Sequence, residues 1–412
     1  MTVAGHTNAI LTFGAILIFG YIAGKIANFF KLPKITGYIT AGVLMEPSFL
    51  GVLPQRLIEH STAVSNFALC IITYAIGGSL NFHRIREQGK SIIWMTLFEA
   101  EMTFLLVFAG LFLAFQVLGR YSGISVQPIY YMPLALLSAA LASPTDPTAT
   151  LAVRDEYKAR GPVITTMLGI GAFDDALGII NFSVGMAVCV AVLGNTGEGM
   201  LATILNPLSD IVFSILMGAG FALFLLFAGR KVEDKGVLIV LILGSLFACY
   251  GTAQFLNLDE LLSTMTLGCV VVNLAKNEDK FFVSVRDYLE ETVFVVFFVV
   301  AGANLQLGIL KSLFWIVLIF VALRTFGKFS GAFLGALLSK APDSVRKYTA
   351  FGLIPQGGIV VGLALLVKQD PRFSEISLPL LNLILGTTVL HEFVGPLFTE
   401  VALKKTKEIT VK

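Results

Sequence analysis

Apolar stretches long enough to cross a lipid bilayer recur along the whole chain, and this feature constrains the fold more than any other. Crossing a hydrocarbon core about 30 Å thick takes about 20 helical residues. Thirteen stretches approach or exceed that length, at residues 9–28, 35–53, 62–81, 91–118, 131–153, 161–193, 208–229, 236–255, 259–275, 288–307, 312–339, 346–368 and 376–401. We therefore predict an all-α membrane protein with about thirteen transmembrane helices.

Composition and charge agree with a membrane protein and exclude other classes. Hydrophobic residues make up 56% of the chain and charged residues 14%, against about 45–50% and about 25% in soluble proteins. The formal net charge of +2 gives no electrostatic support to a nucleic-acid partner. No segment between the apolar stretches is long enough for a soluble domain. We expect residues 1–412 to form one membrane unit surrounded by lipid, with no bound cofactor and no enzymatic activity.

The distribution of lysine and arginine predicts the orientation of the helices. Assigning each of these residues to its nearest loop places 22 on one side and 5 on the other, and the two that remain are Arg324 and Lys328. Cytoplasmic loops are enriched in Lys and Arg. We therefore predict an inner or plasma membrane protein with its N-terminus outside and its C-terminus in the cytoplasm.

Weak internal matches predict a repeat. Pairs of residues in similar sequence surroundings keep the same order along the chain, with offsets between 211 and 226 residues. The pairs are Gly42 with Gly268, Gly78 with Gly302, Pro144 with Pro355, and Gly178 with Gly395. Helices two to six thus pair with helices nine to thirteen, and a separation of seven helices inverts the second copy. Inverted-topology repeats are typical of secondary transporters.

Two predicted helices at corresponding positions of this repeat contain helix-breaking residues. The segments are 143–148 in the fifth stretch and 352–358 in the twelfth. Proline removes a backbone donor and clashes with the preceding turn, so both helices should break there. Paired broken helices near the midplane indicate a transport site. Its candidate polar residues are Ser143, Thr145, Asp146 and Gln356.

Acidic residues within the apolar stretches are the next candidates. Asp174 and Asp175 lie together in the sixth stretch, where each costs about 2.5–3.5 kcal/mol to insert. Adjacent residues differ by about 100° around a helix, so we expect the two carboxylates to face different neighbours. His391 and Glu392 occupy the corresponding place in the thirteenth stretch and are candidate accessory groups, His391 as a pH-sensitive one or as a packing residue.

Arg324 and Lys328 are the natural counter-charges of these acids. They are four residues apart in the eleventh stretch and so share one face of a helix. Glu99 and Glu101 lie in the fourth stretch, which is the repeat partner of the eleventh. We expect Arg324 to form a structural pair with one of these glutamates.

Other mechanisms lack their sequence features. An intramembrane aspartyl protease usually carries a GxGD motif, but two residues separate Gly171 from Asp174. No phosphate-binding loop is present for a nucleotide-driven pump. A channel would need a filter or a charged ring, and unpaired charges beside broken helices fit alternating access better.

These motifs together resemble the second branch of the monovalent cation/proton antiporter superfamily, which includes NapA-type sodium/proton exchangers and the membrane domains of Kef-type potassium systems. The resemblance covers nearly the whole chain, and its most specific part is Asp174-Asp175 with Lys328. The glycine and proline motifs that accompany them are Gly37, Gly42, Ser143 to Asp146, Gly352 to Gly358, and Glu392 to Pro396.

The resemblance implies a homodimer in which a core domain slides against a scaffold domain and carries the ion. By position, the core covers about 91–193 and 312–401, and the scaffold about 9–81 and 208–307. The resemblance also assigns roles to single residues. Asp175 is the ion-binding carboxylate, Asp174 is the partner of Lys328, and Thr145 and Asp146 lie at the crossover of the broken helices.

We therefore expect an antiporter that exchanges a monovalent cation for protons at one carboxylate site, electrogenic because an Asp-Asp site can exchange more protons than cations. Carboxylate, hydroxyl and carbonyl oxygens suit Na⁺, Li⁺ and K⁺, and Na⁺ is our first expectation. Two alternatives remain open. One is a sodium-coupled organic-anion symporter of similar inverted-repeat design. The other is a Kef-type potassium efflux system, although such systems usually carry a cytoplasmic regulatory domain and this chain ends at Lys412.

Overall fold

The computed structural model of the protein describes residues 9–30, 32–46, 49–54, 62–83, 89–118, 126–193, 200–275 and 279–409. Residues 47 and 48, within the second predicted stretch, lie outside the described residues, as do several of the predicted loop charges. Within the described part the chain is helical almost throughout, and its β-structure is a single isolated bridge.

The α-helices are numbered here in chain order. They are α1 (Ala9–Phe29), α2 (Lys34–Met45), α3 (Thr62–Ser79), α4 (Lys90–Leu118), α5 (Tyr131–Ala140), α6 (Pro147–Tyr157), α7 (Pro162–Gly171), α8 (Asp174–Leu193), α9 (Met200–Gly229), α10 (Lys235–Phe255), α11 (Glu260–Leu274), α12 (Asp279–Val285), α13 (Glu291–Gly302), α14 (Leu307–Ser312), α15 (Phe314–Leu338), α16 (Asp343–Tyr348), α17 (Ile359–Gln369) and α18 (Ser374–Lys405). A π-helical turn, Arg286–Glu290, joins α12 to α13.

Eight spans within the described residues are long and apolar enough to cross a membrane, among them Lys90–Val117 and Phe314–Leu338. Their outer surfaces carry large apolar side chains, such as Phe227 and Phe255, which are 82% and 84% exposed. Such surfaces suit contact with lipid rather than water. The prediction of an all-α membrane protein is confirmed.

Two predicted stretches differ from the observed helices. The second, 35–53, is helical only over Lys34–Met45. The sixth, 161–193, was expected to be one continuous helix, but it is interrupted by a turn at Ala172 and Phe173. Because of this turn, Asp174 and Asp175 are the first two residues of α8 rather than mid-helix residues. A helix N-terminus favours acidic side chains, which is the physical reason for a break at this point.

Two contacts hold the interrupted helix in place. At the break, the Ser79 hydroxyl at the end of α3 donates a hydrogen bond of 2.7 Å to the carbonyl oxygen of Ala172. At the far end of α7, the backbone N–H groups of Val163 and Ile164 donate to the two carboxylate oxygens of Glu408, at 2.8 and 2.9 Å. Side chains therefore satisfy backbone groups that a helix end leaves without partners.

The two predicted breaks are present, and they meet. The first separates α5 from α6, and the second lies between the 3₁₀ turn Thr349–Leu353 and α17. Thr145 and Gln356 form an antiparallel bridge between the breaks. The bridge is reinforced by hydrogen bonds from Asp146 N to Pro355 O, 3.2 Å, and from Gly357 N to Pro144 O, 3.4 Å.

Helices α4 and α15 pack backbone against backbone along a seam of three glycines. A Cβ atom added to Gly327, Gly331 or Gly335 would lie within about 2.5–2.6 Å of the Cα atom of Thr103, Glu99 or Met95, respectively. Real Cβ atoms do not approach so closely. Small residues are the usual means by which membrane helices come into such close contact.

We expect Gly331→Ala to destabilise the protein by about 1–3 kcal/mol, because overpacking a tight contact forces the backbone apart. Gly244→Ala is the matched control, since no atom lies within 4 Å of the Cβ position there. The control should be neutral or slightly stabilising, because alanine favours a helix by about 0.5–1 kcal/mol over glycine. Thermal unfolding of both purified variants in detergent is the measurement. Equal melting temperatures would contradict the tight seam.

Candidate functional site

The site is built around the crossing of the two broken helices. Each break leaves backbone carbonyl groups that no longer accept helical hydrogen bonds, at a depth where no water replaces them. Such groups must find donors within the protein. The structure supplies these donors from α15.

Arg324 provides most of them. Its guanidinium group donates from Nε to Ala142 O at 2.8 Å, from Nη1 to Ile354 O at 2.6 Å, and from Nη2 to Pro144 O at 2.9 Å and Pro355 O at 3.2 Å. The side chain is fully buried. The guanidinium group of Arg324 therefore joins the carbonyl ends of both breaks.

This arrangement corrects the expected pair of Arg324 with Glu99 or Glu101. The glutamate that approaches a basic residue of α15 is Glu99, and its partner is Lys328, with 2.7 Å between Nζ and Oε2. Glu101 instead accepts a hydrogen bond of 3.2 Å from Asn181 Nδ2. Residues 99 and 101 differ by about 200° around a helix, so only one of them faces α15.

Lys328 lies one turn along α15 from Arg324 and is also fully buried. Its ammonium group donates to Ser143 O and, at 2.8 Å, to Thr145 Oγ1. The Oδ2 atom of Asp174 is 3.3 Å away. Lys328 therefore connects the first break to the acidic start of α8.

The second acid of the pair faces differently from the first. Asp174 is fully buried, whereas Asp175 is only partly buried. A Cβ atom added to Gly357 would lie 3.1 Å from Asp175 Oδ1, so this carboxylate is next to the second break. Asp175 Oδ1 is buried without a hydrogen-bond partner.

The candidate accessory residues lie on the other side of the crossing. His391 Nδ1 is 3.0 Å from Gln356 Oε1, and Gln356 Nε2 donates to Leu141 O at 3.1 Å. Glu392 is fully buried and interacts electrostatically with Asp146 and Arg324. In the predicted sequence repeat, His391 and Glu392 correspond to Asp174 and Asp175. Glu392 is part of the same buried cluster as the aspartate pair.

Acidic groups outnumber basic ones in this cluster. Its carboxyl groups belong to Glu99, Asp146, Asp174, Asp175 and Glu392, and its bases are Arg324 and Lys328. Buried charges are expensive unless paired, so two bases cannot neutralise five carboxylates. The remainder must be neutralised by bound protons or cations.

Several oxygen atoms of the cluster are available for this purpose. Among the described residues, Ser143 Oγ, Asp174 Oδ1 and Asp175 Oδ1 are buried without a hydrogen-bond partner. Carboxylate and hydroxyl oxygens are suitable ligands for hard cations. The site can therefore take up either a cation or protons.

A cavity of about 360 Å³ lies between α8 and the loop that joins α10 to α11. Its α8 wall includes Phe182, Ser183 and Met186, which continue the helix face that begins at Asp175. Asp370 and Arg372 also line it. Burial of Asp370 raises its pKa, but hydrogen bonds from Arg372 outweigh this effect, and the net pKa is lowered. The charge of Asp370 is offset by that of Arg372, whose Nη2 atom is 2.6 Å from Asp370 Oδ2.

Comparison with known proteins gives one consistent result. A model of the sodium/hydrogen exchanger transmembrane family matches residues 14–405. The Na(+)/H(+) antiporter NhaS4 of Synechocystis is 23% identical over 343 residues, 79% of this chain and 80% of the relative. The Na(+)/H(+)-K(+) antiporter GerN of Bacillus cereus is 22% identical over 355 residues, 85% of each chain.

A solved structure has the same fold. The sodium proton antiporter MjNhaP1 from Methanocaldococcus jannaschii, determined at pH 8, matches with a TM-score of 0.75 and 19% sequence identity over 96% of this chain and 98% of that one.

Arg324→Ala should destabilise the protein by at least about 3 kcal/mol, because it leaves buried carbonyl groups without donors. Transport per folded molecule should fall less, since Arg324 does not contact the aspartate pair. Lys328→Ala should show the opposite ranking. Arg346→Ala, which removes a surface pair with Asp343, should cost about 0–1 kcal/mol. Thermal unfolding and flux normalised to folded protein are the measurements, and a reversed ranking of Arg324 and Lys328 would contradict these assignments.

Proposed function

Because the chain belongs to the sodium/hydrogen exchanger family, we propose that it is a secondary active antiporter that exchanges a monovalent cation, Na⁺ in the first place, for protons. The excess of buried carboxyl groups over buried bases carries this proposal. Such a cluster holds either cations or protons, and exchange at one site links the two fluxes without a second pathway.

Asp175 is proposed as the carboxylate at which cation and proton compete. It is the acid of the pair that retains some exposure, and its Oδ1 atom has no hydrogen-bond partner. Asp174 is proposed to alternate between Lys328 and the cation, since its 3.3 Å contact with the ammonium group is longer than the other distances that Lys328 makes. Thr145 and Asp146 are proposed to line the crossover.

We propose that the thirteen predicted helices form two inverted repeats, and the glycine contacts support this. A Cβ added to Gly178 would collide with the ring of Pro144, and one added to Gly395 would collide with the ring of Pro355. Exchanging each residue for its repeat partner converts one contact into the other.

The same relation holds between the glycines of other helices. Gly42 on α2 packs against the backbone of α13 near Gly302, and Gly268 on α11 packs against the backbone of α3 near Gly78. Under the repeat, α2 corresponds to α11 and α3 to α13, so the two contacts are equivalent.

Transport is proposed to follow an elevator motion, in which the core, about 91–193 and 312–401, slides against the scaffold, about 9–81 and 208–307. The contact between them supports sliding because much of it is apolar. Gly358 faces the ring of Phe298, and Gly362 faces Leu69 and Phe297. Apolar contacts are not directional, so they can be exchanged for others without a large penalty.

We further propose a homodimer in the inner or plasma membrane, with the N-terminus outside and the C-terminus in the cytoplasm. The inside-positive distribution of lysine and arginine supports this orientation. The cavity beside α8 then lies towards the outside, because in this orientation the loop that joins α10 to α11 is on the outer side.

Asp175→Asn should abolish cation-driven proton movement in proteoliposomes and leave the fold intact. The neutral amide can neither take up and release a proton nor offer a negative charge to the cation. Asp234→Asn is the matched control. Asp234 caps α10 at its N-terminus through a 2.9 Å hydrogen bond from Val237 N, and asparagine caps a helix equally well. Substantial exchange by folded Asp175→Asn protein would exclude Asp175 as the ion carboxylate.

Exchange should be electrogenic, because Lys328 can release a proton when its pair with Asp174 opens, in addition to the proton that Asp175 releases when the cation binds. An imposed potassium diffusion potential should then accelerate or slow exchange according to its sign, by about tenfold per 1.4 kcal/mol of electrical work at the rate-limiting step. The measurement is the rate of dissipation of a preset pH gradient after addition of Na⁺. Equal rates at both signs of the potential would mean an electroneutral exchanger, whereas no dissipation in the wild type would exclude cation/proton antiport.

A further inference from the structure

Glu99 is one of the five carboxyl groups of the buried cluster, and it makes the shortest ion-pair contact there. Its Oε2 atom is 2.7 Å from Lys328 Nζ, and both side chains are fully buried. An ionised carboxylate at this depth is expensive. A purely structural pair would be satisfied by one acid, but Lys328 has two.

The Lys328 ammonium group has more acceptors than protons. It can donate three hydrogen bonds, and these go to Ser143 O, Thr145 Oγ1 and Asp174 Oδ2. Glu99 Oε2 forms an ion pair with it at 2.7 Å but accepts no hydrogen bond. The two carboxylates therefore compete for the ammonium group, and Asp174, at 3.3 Å, is the most distant of the four oxygens around it.

The two carboxylates also differ in how firmly they are held. Glu99 is on α4, and the glycine seam holds α4 against α15 at backbone contact, with the Cα atom of Glu99 itself opposite Gly331. Asp174 follows the turn at Ala172 and Phe173 and begins α8. The backbone of Glu99 is therefore fixed against α15, whereas that of Asp174 lies at a helix end beside a turn.

We propose that Glu99 is a positioning residue for the cation site, acting through Lys328. It keeps a carboxylate beside Lys328 when Asp174 turns towards the cation, so that opening of the Asp174 pair does not by itself leave an unpaired buried ammonium group. Removing one partner of a buried pair is strongly destabilising, and Glu99 removes that penalty from the cation-binding step. The inference rests on the proposed function, because it takes the aspartate pair as the cation site.

The test is Glu99→Gln in proteoliposomes, with Na⁺ as the cation. Glutamine keeps the size of the side chain but cannot neutralise Lys328, so Asp174 becomes its sole carboxylate partner. The apparent KM for Na⁺ should rise about tenfold, which corresponds to about 1.4 kcal/mol, and the maximal rate per folded molecule should change less than the KM. Glu99→Asp, which keeps the charge, should restore part of the affinity.

A double-mutant comparison separates this role from a general loss of negative potential. In an Asp174→Asn background, Asp174 no longer competes for Lys328, so adding Glu99→Gln should raise the KM by much less than in the wild type. Equal effects in both backgrounds, or a folded Glu99→Gln protein with a wild-type KM and only a lower melting temperature, would overturn the inference. Loss of Na⁺-driven proton movement in the wild type would instead overturn the proposed function.

Discussion

A helix that breaks within a membrane leaves carbonyl groups without donors, and the rest of this structure depends on how they are satisfied. Two breaks meet at one point, and the guanidinium group of Arg324 donates to carbonyl oxygens of both. Its planar fork of N–H groups suits several acceptors at once. One side chain therefore offsets the cost of unpaired carbonyl groups at both breaks.

Arg324 and Lys328 divide the work of a buried positive charge. Arg324 binds only backbone carbonyls and holds the crossing, while Lys328 binds the carbonyl of Ser143 and connects the crossing to the side chains of Asp174 and Glu99. A charge with fixed backbone partners, that of Arg324, therefore lies one helical turn from a charge whose carboxylate partner can change, that of Lys328. In our proposal, this division lets the cation site change its occupant while the crossing that supports it stays intact.

The sequence predicted the helical class, the positions of both breaks and the residues around them, because prolines and buried charges have strong local effects. It did not predict that α8 begins at Asp174, since the residues at the turn, Ala172 and Phe173, have no helix-breaking character. At the turn, the carbonyl oxygen of Ala172 accepts a hydrogen bond from Ser79, a contact over more than ninety residues that the local sequence does not reveal. The partner of Glu99 was also missed. Spacing along α15 places both bases on one face, but only the register of α4 against α15 decides which of them meets the glutamate.

That register gives the glycine seam a further consequence. Glycines repeat every fourth residue at Gly327, Gly331 and Gly335, so sliding α4 along α15 by one turn, about 5.4 Å, would bring a similar surface into contact. Packing alone distinguishes poorly between such arrangements. The slip would, however, carry Glu99 away from Lys328 and leave its carboxylate unpaired in an apolar environment. The Glu99–Lys328 pair therefore specifies one alignment of α4 and α15, where the glycine contact alone would permit several alignments. A single buried polar residue fixes the register of a coiled coil in the same way.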